Sequence, residues 1–323
     1  MADKPAIAIS IGDPAGIGPE VVTKALATGE VHQLCRPVLI GSAYAIEQAV
    51  NLIKAPLTVR KVESADGAAT DPKVLDIIDP GNLRNEDIQL GVASAACGKA
   101  VSEWIQIAGR LVTEGKAVGS VMASINSDSF RMAGVNAGGG SDEGSYLFLL
   151  NGPLRVVHLT DHVPVKEAVG KATRENILKL ATILNEAMAR WGIPNARIAL
   201  SGLNPHAHGD EDHDILAPAV EEARKMGINI TGPISPDTVF RQCVEGIYDV
   251  VIAIFHDQGH VAIKTWRFEG TVSISLGRPQ FGTSVAHGTA FDIVGKGIAD
   301  HTAILNAMKL TATMGSGAGF PKS

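Results

Sequence analysis

The sequence predicts an α/β protein. Apolar strand-like runs alternate with segments of helical spacing for most of its length, with no fixed-period repeat and no low-complexity linker. The composition, 45% hydrophobic and 19% charged, is that of an ordinary globular chain, so a packed core is expected. At 323 residues the chain exceeds one small core and fits two units of ordinary domain size.

The elements follow in order. Ala6 to Ile11 reads as a strand, Gly12 to Pro19 as a turn, and Glu20 to Ala27 as a helix with Pro19 suited to a first helical position. Val38-Leu-Ile-Gly is a second strand, followed by a helix over Ala43–Leu52 and a long Ala-rich helix over Gly91–Glu114. Ala117–Ala123 and Leu154–Thr160 read as buried strands, Asn176–Trp191 as a helix and Arg197–Ser201 as a strand. Ala217–Lys225 is a helix, Asp249–Phe255 a strand ending at His256, and Thr302–Leu310 a helix. Site residues are expected where the strands end, as open α/β sheets arrange them.

Bulk properties exclude several classes. A net charge of −6 leaves no basic footprint for nucleic acid. No apolar run approaches a bilayer span, and Met-Ala-Asp-Lys-Pro lacks a signal-peptide layout. Cys35, Cys97 and Cys243 are odd in number and lack paired metal spacing, so they read as buried thiols in a reducing compartment. A soluble cytoplasmic protein is expected.

Two C-terminal segments carry the chemistry. His287-Gly-Thr-Ala-Phe-Asp-Ile-Val-Gly-Lys-Gly297 resembles the adenosine-binding loop of the isocitrate and isopropylmalate dehydrogenases. His256-Asp-Gln-Gly259 and the opening turn Gly12-Asp-Pro-Ala-Gly-Ile-Gly-Pro-Glu20 resemble the 4-hydroxythreonine-4-phosphate dehydrogenase family, a branch of that fold. The resemblance covers nearly the whole chain. It implies two α/β/α lobes with a cleft between them: residues 1–125 plus 271–323 on the cofactor side, and 126–270 for metal, substrate and dimerisation. It also implies NAD or NADP bound by His287, Gly288, Thr289, Ala290, Asp292, Gly295, Lys296 and Gly297. On its residues alone the opening turn is a weak signal, since glycine turns at helix N-termini often serve packing only. Asp13 is a candidate substrate contact within it.

Ten histidines occur, and three stand in family-like contexts after strands: His162, His206 and His256. On its own, a histidine beside a strand is more often an ordinary hydrogen-bonded residue. The resemblance implies that these three bind one divalent metal, zinc being favoured, with cobalt, nickel, manganese or magnesium as alternatives. The segment His206 to His213 reads as an exposed acidic loop, or alternatively as a second metal patch. His158 and His260 are candidate neighbours of two ligands. Lys264 is the expected donor to a substrate carboxylate or oxyanion, with Asp257 as polar support.

The chain departs from the phosphate-substrate pattern at several places. The family's Gly-His-Thr-Glu is replaced by Gly138-Gly-Gly-Ser-Asp-Glu-Gly-Ser145, and substrate-contacting Asn and Arg fall on Ser273 and Gly282, with Arg278 four residues earlier. Leu154-Arg-Val-Val-His-Leu-Thr160 and His256-Asp-Gln-Gly-His260 resemble instead the branch that oxidises the cis-dihydrodiol of terephthalate. Ser273 is kept as a substrate residue on that basis. The function expected is a metal-dependent NAD(P) oxidoreductase performing oxidative decarboxylation of a hydroxy acid, its substrate a cis-dihydrodiol carboxylate. The alternatives are a 4-phospho-hydroxy acid dehydrogenase and a non-catalytic metabolite-binding paralogue. The family also implies a homodimer whose active site is shared, with His162 reaching across.

Overall fold

The computed structural model describes residues 4–135 and 144–320. The chain forms two compact units, Met1–Gly138 with Gln280–Ser316, and Gly139–Pro279 with Gly317–Ser323. Strands β1 (Ala6–Ser10), β2 (Arg36–Ile40), β3 (Thr58–Lys61), β4 (Val74–Ile78) and β5 (Ser120–Met122) belong to the first unit. The second contains β6 (Tyr146–Asn151), β7 (Leu154–His158), β8 (Ile198–Ser201), β9 (Ile230–Ile234), β10 (Val250–Ala253) and β11 (Val272–Leu276). Strand β12 (Gly282–Val285) returns to the first unit.

In the first unit the strand order is β3-β4-β2-β1-β5-β12, and every pair is parallel. Ile7, Ala8 and Ile9 of β1 are all buried. That uninterrupted apolar run is what a strand covered on both faces requires. The long helix is Ala95–Thr113, not Gly91–Glu114 as the spacing suggested. Gly91 has φ +77°, and Ser94 caps the helix by accepting a hydrogen bond from Cys97 N at 3.1 Å. On that helix a Cβ at Gly98 would lie 2.1 Å from Ser129 O, so glycine there permits close backbone contact.

In the second unit the order is β11-β6-β7-β10-β8-β9. Strands β7, β10, β8 and β9 run parallel, while β6 pairs antiparallel with both β7 and β11. The parallel core brings the C-terminal ends of β7, β10 and β8 to one edge, with β10 in the middle. His256 does not end a strand: it opens the helix His256–Trp266. Cys35, Cys97 and Cys243 are free and buried, and burial pushes the Cys35 thiol up to about 12, far from a reactive thiolate.

Candidate metal centre and cofactor loop

In the second unit, the second residue after β7 is zipped to the residue after β10. Thr160 N and Thr160 Oγ1 both donate to Ile254 O, at 3.2 and 2.9 Å. This brings Asp161 and His162 beside His256, so that one ligand atom from each lies within 4.8 Å of the others. The His162 and His256 rings are 4.9 Å apart. Asp257 Oδ1 accepts from His256 Nδ1 at 2.6 Å, which leaves Nε2 with the lone pair a metal needs. That hydrogen bond holds the Asp257 carboxyl below its ordinary range.

The donor set of two imidazoles and a carboxylate suits a catalytic divalent cation such as zinc, manganese, cobalt or nickel. Asp161 Oδ1 supplies a further sign. It is buried and 2.9 Å from His162 Nδ1, yet no donor meets it with hydrogen-bond geometry. Asp161 was not among the sequence-derived ligands. The one available signal was its place in Thr160-Asp-His162, where the family carries histidine directly after threonine.

His206 stands outside this group. It follows β8, has φ +56°, and places Nδ1 3.5 Å from Ser235 Oγ. The loop that carries it is not simply an exposed acidic segment, because Asp212 is fully buried. The Asp212 carboxylate accepts from Leu203 N at 2.7 Å and Asn204 N at 3.1 Å. It also accepts from Asn204 Nδ2 at 2.9 Å and Gly209 N at 3.1 Å. Gln258 of the His-Asp-Gln-Gly motif ties the two strand ends together. Its Oε1 accepts from Ile254 N at 2.7 Å and its Nε2 donates to Gly202 O at 2.8 Å.

Behind His256 lie two further imidazoles. His260 stacks on it with ring centroids 3.6 Å apart and 14° between planes. His158 sits 4.8 Å from His260 and donates from Nδ1 to Leu147 O at 3.0 Å. Burial drives His158 down to about 3 and His260 to about 4, so both are neutral near pH 7. Gly259 is explained by the same cluster: a Cβ there would be 2.3 Å from His158 Nε2. Lys264 is exposed on this helix, one turn beyond His260. Ser273 is half-buried in β11, opposite Leu149 of β6. Of the replaced Gly138–Ser145 segment, residues 138–143 lie outside the described residues.

The first unit holds the opening turn and the cofactor-like loop side by side. Ile17 N donates to Thr289 O at 3.0 Å, and Asn126 Nδ2 donates to Thr289 Oγ1 at 3.2 Å. The turn's glycines serve this packing: a Cβ on Gly16 would be 2.7 Å from Thr289 Cβ, and one on Gly12 2.4 Å from Ser124 O. Asp13 is buried, its oxygens accepting from Ala15 N and Ser129 Oγ, both at 2.9 Å. Burial raises its pKa. Through these two bonds it braces the turn. Further along the loop, Lys24 Nζ donates to Gly297 O at 2.9 Å and Ala299 O at 2.8 Å. Ala290, at φ +44°, bends the loop, while Gly288, Asp292, Gly295 and Lys296 are exposed.

Two features of this unit lie beside the cofactor-like loop. His287 Nδ1 donates to Gly288 O at 2.9 Å, while Nε2 has no partner. A cavity of about 220 Å³ lies between the turn and the loop, walled by Tyr44, Leu52, Leu90, Val294 and Gly295. Glu20 also lines it, with a buried Oε2 that has no hydrogen-bond partner. No helix among the described residues is long and apolar enough to cross a membrane.

Comparison with known proteins places these observations. Residues 33–311 match the family described as "Pyridoxal phosphate biosynthetic protein PdxA". A relative from Novosphingobium aromaticivorans, named "Putative 4-hydroxythreonine-4-phosphate dehydrogenase", is 43% identical over 99% of this chain and 98% of its own. The solved 4-hydroxythreonine-4-phosphate dehydrogenase of Klebsiella pneumoniae is 32% identical with a TM-score of 0.87, over 98% of this chain and 99% of that one. The terephthalate 1,2-cis-dihydrodiol dehydrogenase of Burkholderia xenovorans LB400 is 30% identical with a TM-score of 0.66, over 96% and 98%. The local motifs leaned toward the terephthalate branch, but the fold as a whole superposes better on the 4-hydroxythreonine-4-phosphate dehydrogenase. Motifs of five to seven residues sample one strand end each, whereas superposition weighs the whole chain. By both sequence and fold, this chain belongs to the PdxA family, the 4-hydroxythreonine-4-phosphate dehydrogenase-like proteins.

Proposed function

We propose that the protein is an NAD(P)-dependent, metal-assisted dehydrogenase that oxidises the hydroxyl carbon of a hydroxy acid and releases its carboxyl group. The Asp161–His162–His256 cluster, whose ligand atoms lie within 4.8 Å, carries this reading. When bound, the divalent ion supplies Lewis-acid polarisation of the substrate hydroxyl and carboxylate, and NAD(P)+ supplies the hydride acceptor. Asp257 holds the His256 tautomer. Lys264 donates to the substrate carboxylate and then to the enolate oxygen formed when the C–C bond breaks and carbon dioxide leaves. The unpartnered His287 Nε2 and the exposed backbone of the 288–297 loop receive the adenosine.

A cis-dihydrodiol carboxylate remains the substrate reading, because Gly282 and Ser273 replace an arginine and an asparagine that phosphate-substrate members use. Loss of a bidentate arginine removes several kcal/mol of anion binding, on the order of 2–5. The better superposition on a 4-hydroxythreonine-4-phosphate dehydrogenase favours a second reading, a 4-phospho-hydroxy acid. NAD(P) reduction assayed across both classes, with metal content measured alongside, separates the two. Absence of both metal and NAD(P) binding would instead indicate a non-catalytic paralogue.

The isocitrate/isopropylmalate dehydrogenase-like arrangement, a cytoplasmic location and a homodimer belong to the same reading. Because His162 and His256 meet within one chain while His206 stands apart, His206 is the ligand we assign to the partner's site. Mixed His206→Ala and His256→Ala proteins should then regain activity, each dimer of unlike chains having one intact site. Mixed His162→Ala and His256→Ala proteins should not. The reverse pattern would restore the original expectation for His162.

A further inference from the structure

We infer that His260 is a positioning residue for the metal site, fixing the ring of His256 by stacking and by a backbone anchor. The inference rests on the metal reading above. Two contacts carry it. The His260 ring lies 3.6 Å from that of His256 and nearly parallel to it, at 14°, so it covers one face of the ligand imidazole. His260 Nδ1 lies 3.1 Å from His256 O, and since a carbonyl only accepts, Nδ1 is the donor. The residue that stacks on the side chain therefore also grips the backbone of the same ligand.

His260 is in turn held from behind. The His158 ring sits 4.8 Å away, is almost completely buried, and is locked by its bond to Leu147 O. Gly259 lets the helix settle directly onto that ring, since any Cβ would lie 2.3 Å from His158 Nε2. His158 thus sets the depth of the first helical turn, His260 sets the plane of His256, and Asp257 sets its tautomer through the 2.6 Å bond to Nδ1. A ligand imidazole free to rotate about its side-chain torsions must be ordered when the ion binds, and that ordering weakens affinity. Fixing two of its degrees of freedom beforehand removes part of the loss. Groups that orient a metal-bound histidine typically change affinity by about 10–100-fold when removed.

The test uses the full-length apoprotein titrated with Co(II), read by visible absorption, with thermal unfolding of each variant alongside. His260→Ala should weaken Co(II) binding about 10–100-fold and alter the ligand-field spectrum, because His256 can then adopt other orientations. His260→Phe restores a flat ring against His256 and should bring the affinity back to within about threefold of wild type. His260→Leu, of similar bulk but without a ring face, should not, and it serves if the alanine variant fails to fold. Equal affinity of the Leu and Phe variants, or an unchanged Kd for His260→Ala, overturns the inference. His256→Ala provides the separate control. If it abolishes Co(II) binding while His260 variants leave it unaltered, the positioning role falls and the metal site stands. If it leaves Co(II) binding unchanged, the metal reading itself falls.

Discussion

Replacing Asp212 by asparagine should destabilise the second unit far more than its place in an acidic surface segment suggests. The carboxylate is fully buried and accepts four hydrogen bonds. One, from Leu203 N at 2.7 Å, goes to Oδ1; three, from Asn204 N, Asn204 Nδ2 and Gly209 N, go to Oδ2. An asparagine has a single acceptor oxygen. Turned to keep the three bonds at the Oδ2 position, it points its amide NH2 at Leu203 N–H, donor against donor. The loss is then one bond to a charged acceptor, about 1.5–3 kcal/mol, plus a buried N–H left unsatisfied, for a total of about 3 kcal/mol. Alanine loses all four bonds and should cost about 5 kcal/mol. Urea unfolding compares the variants, and amide hydrogen exchange at Leu203 and Gly209 localises the effect. An Asn variant within about 0.5 kcal/mol of wild type, with both amides still protected, would refute the reasoning.

Other outcomes follow from the same contacts. Gly259→Ala should destabilise by about 2–3 kcal/mol, although Gly to Ala within a helix normally stabilises by about 0.5–1 kcal/mol. In a His158→Ala background only part of the loss should disappear, since Val156 Cγ1 would still be 2.7 Å from the new Cβ. Burial depresses the His158 pKa from 6.5 to about 3, so the unfolded chain takes up a proton that the folded one refuses. Its contribution is complete above pH 6.5 and declines as the pH falls toward 3. Between pH 7 and 5, in chelator, wild type should lose about 2 kcal/mol relative to His158→Phe, and a difference that stays constant with pH would contradict this. Lys264→Met should lower kcat by about 10²-fold or more with NAD(P) affinity unchanged; an unaltered kcat removes Lys264 from the site.

The sequence by itself determined the α/β class, the central strands β1, β2, β5, β7, β8 and β10, and the family, because these depend on local signals; the flanking parallel strands β3, β4, β9 and β12 were not read. Apolar runs such as Ile7–Ile9 fix a buried strand wherever it goes. The Gly12–Glu20 turn, His256–Gly259 and His287–Gly297 are contiguous, so their resemblance could be read without knowing what they touch. It also named His162 and His256 as candidate ligands, alongside His206. It could not distinguish His206 from them, since all three follow strands and look equivalent in one dimension. Within the chain, tertiary structure sets His206 apart from the other two. The order β7-β10-β8 sets three strand ends at one edge, and the Thr160–Ile254 bonds, between residues 94 apart in sequence, draw Asp161 and His162 onto His256. The clamp of Asp212 meanwhile holds the loop of His206 in its own conformation. His158 and His260 were read only as neighbours of two ligands, and their stacking, like the roles of Asp161 and Asp212, was not legible for one physical reason. Their roles come from desolvation and from partners distant in the chain, and those exist only once the crossovers have chosen which strands lie side by side.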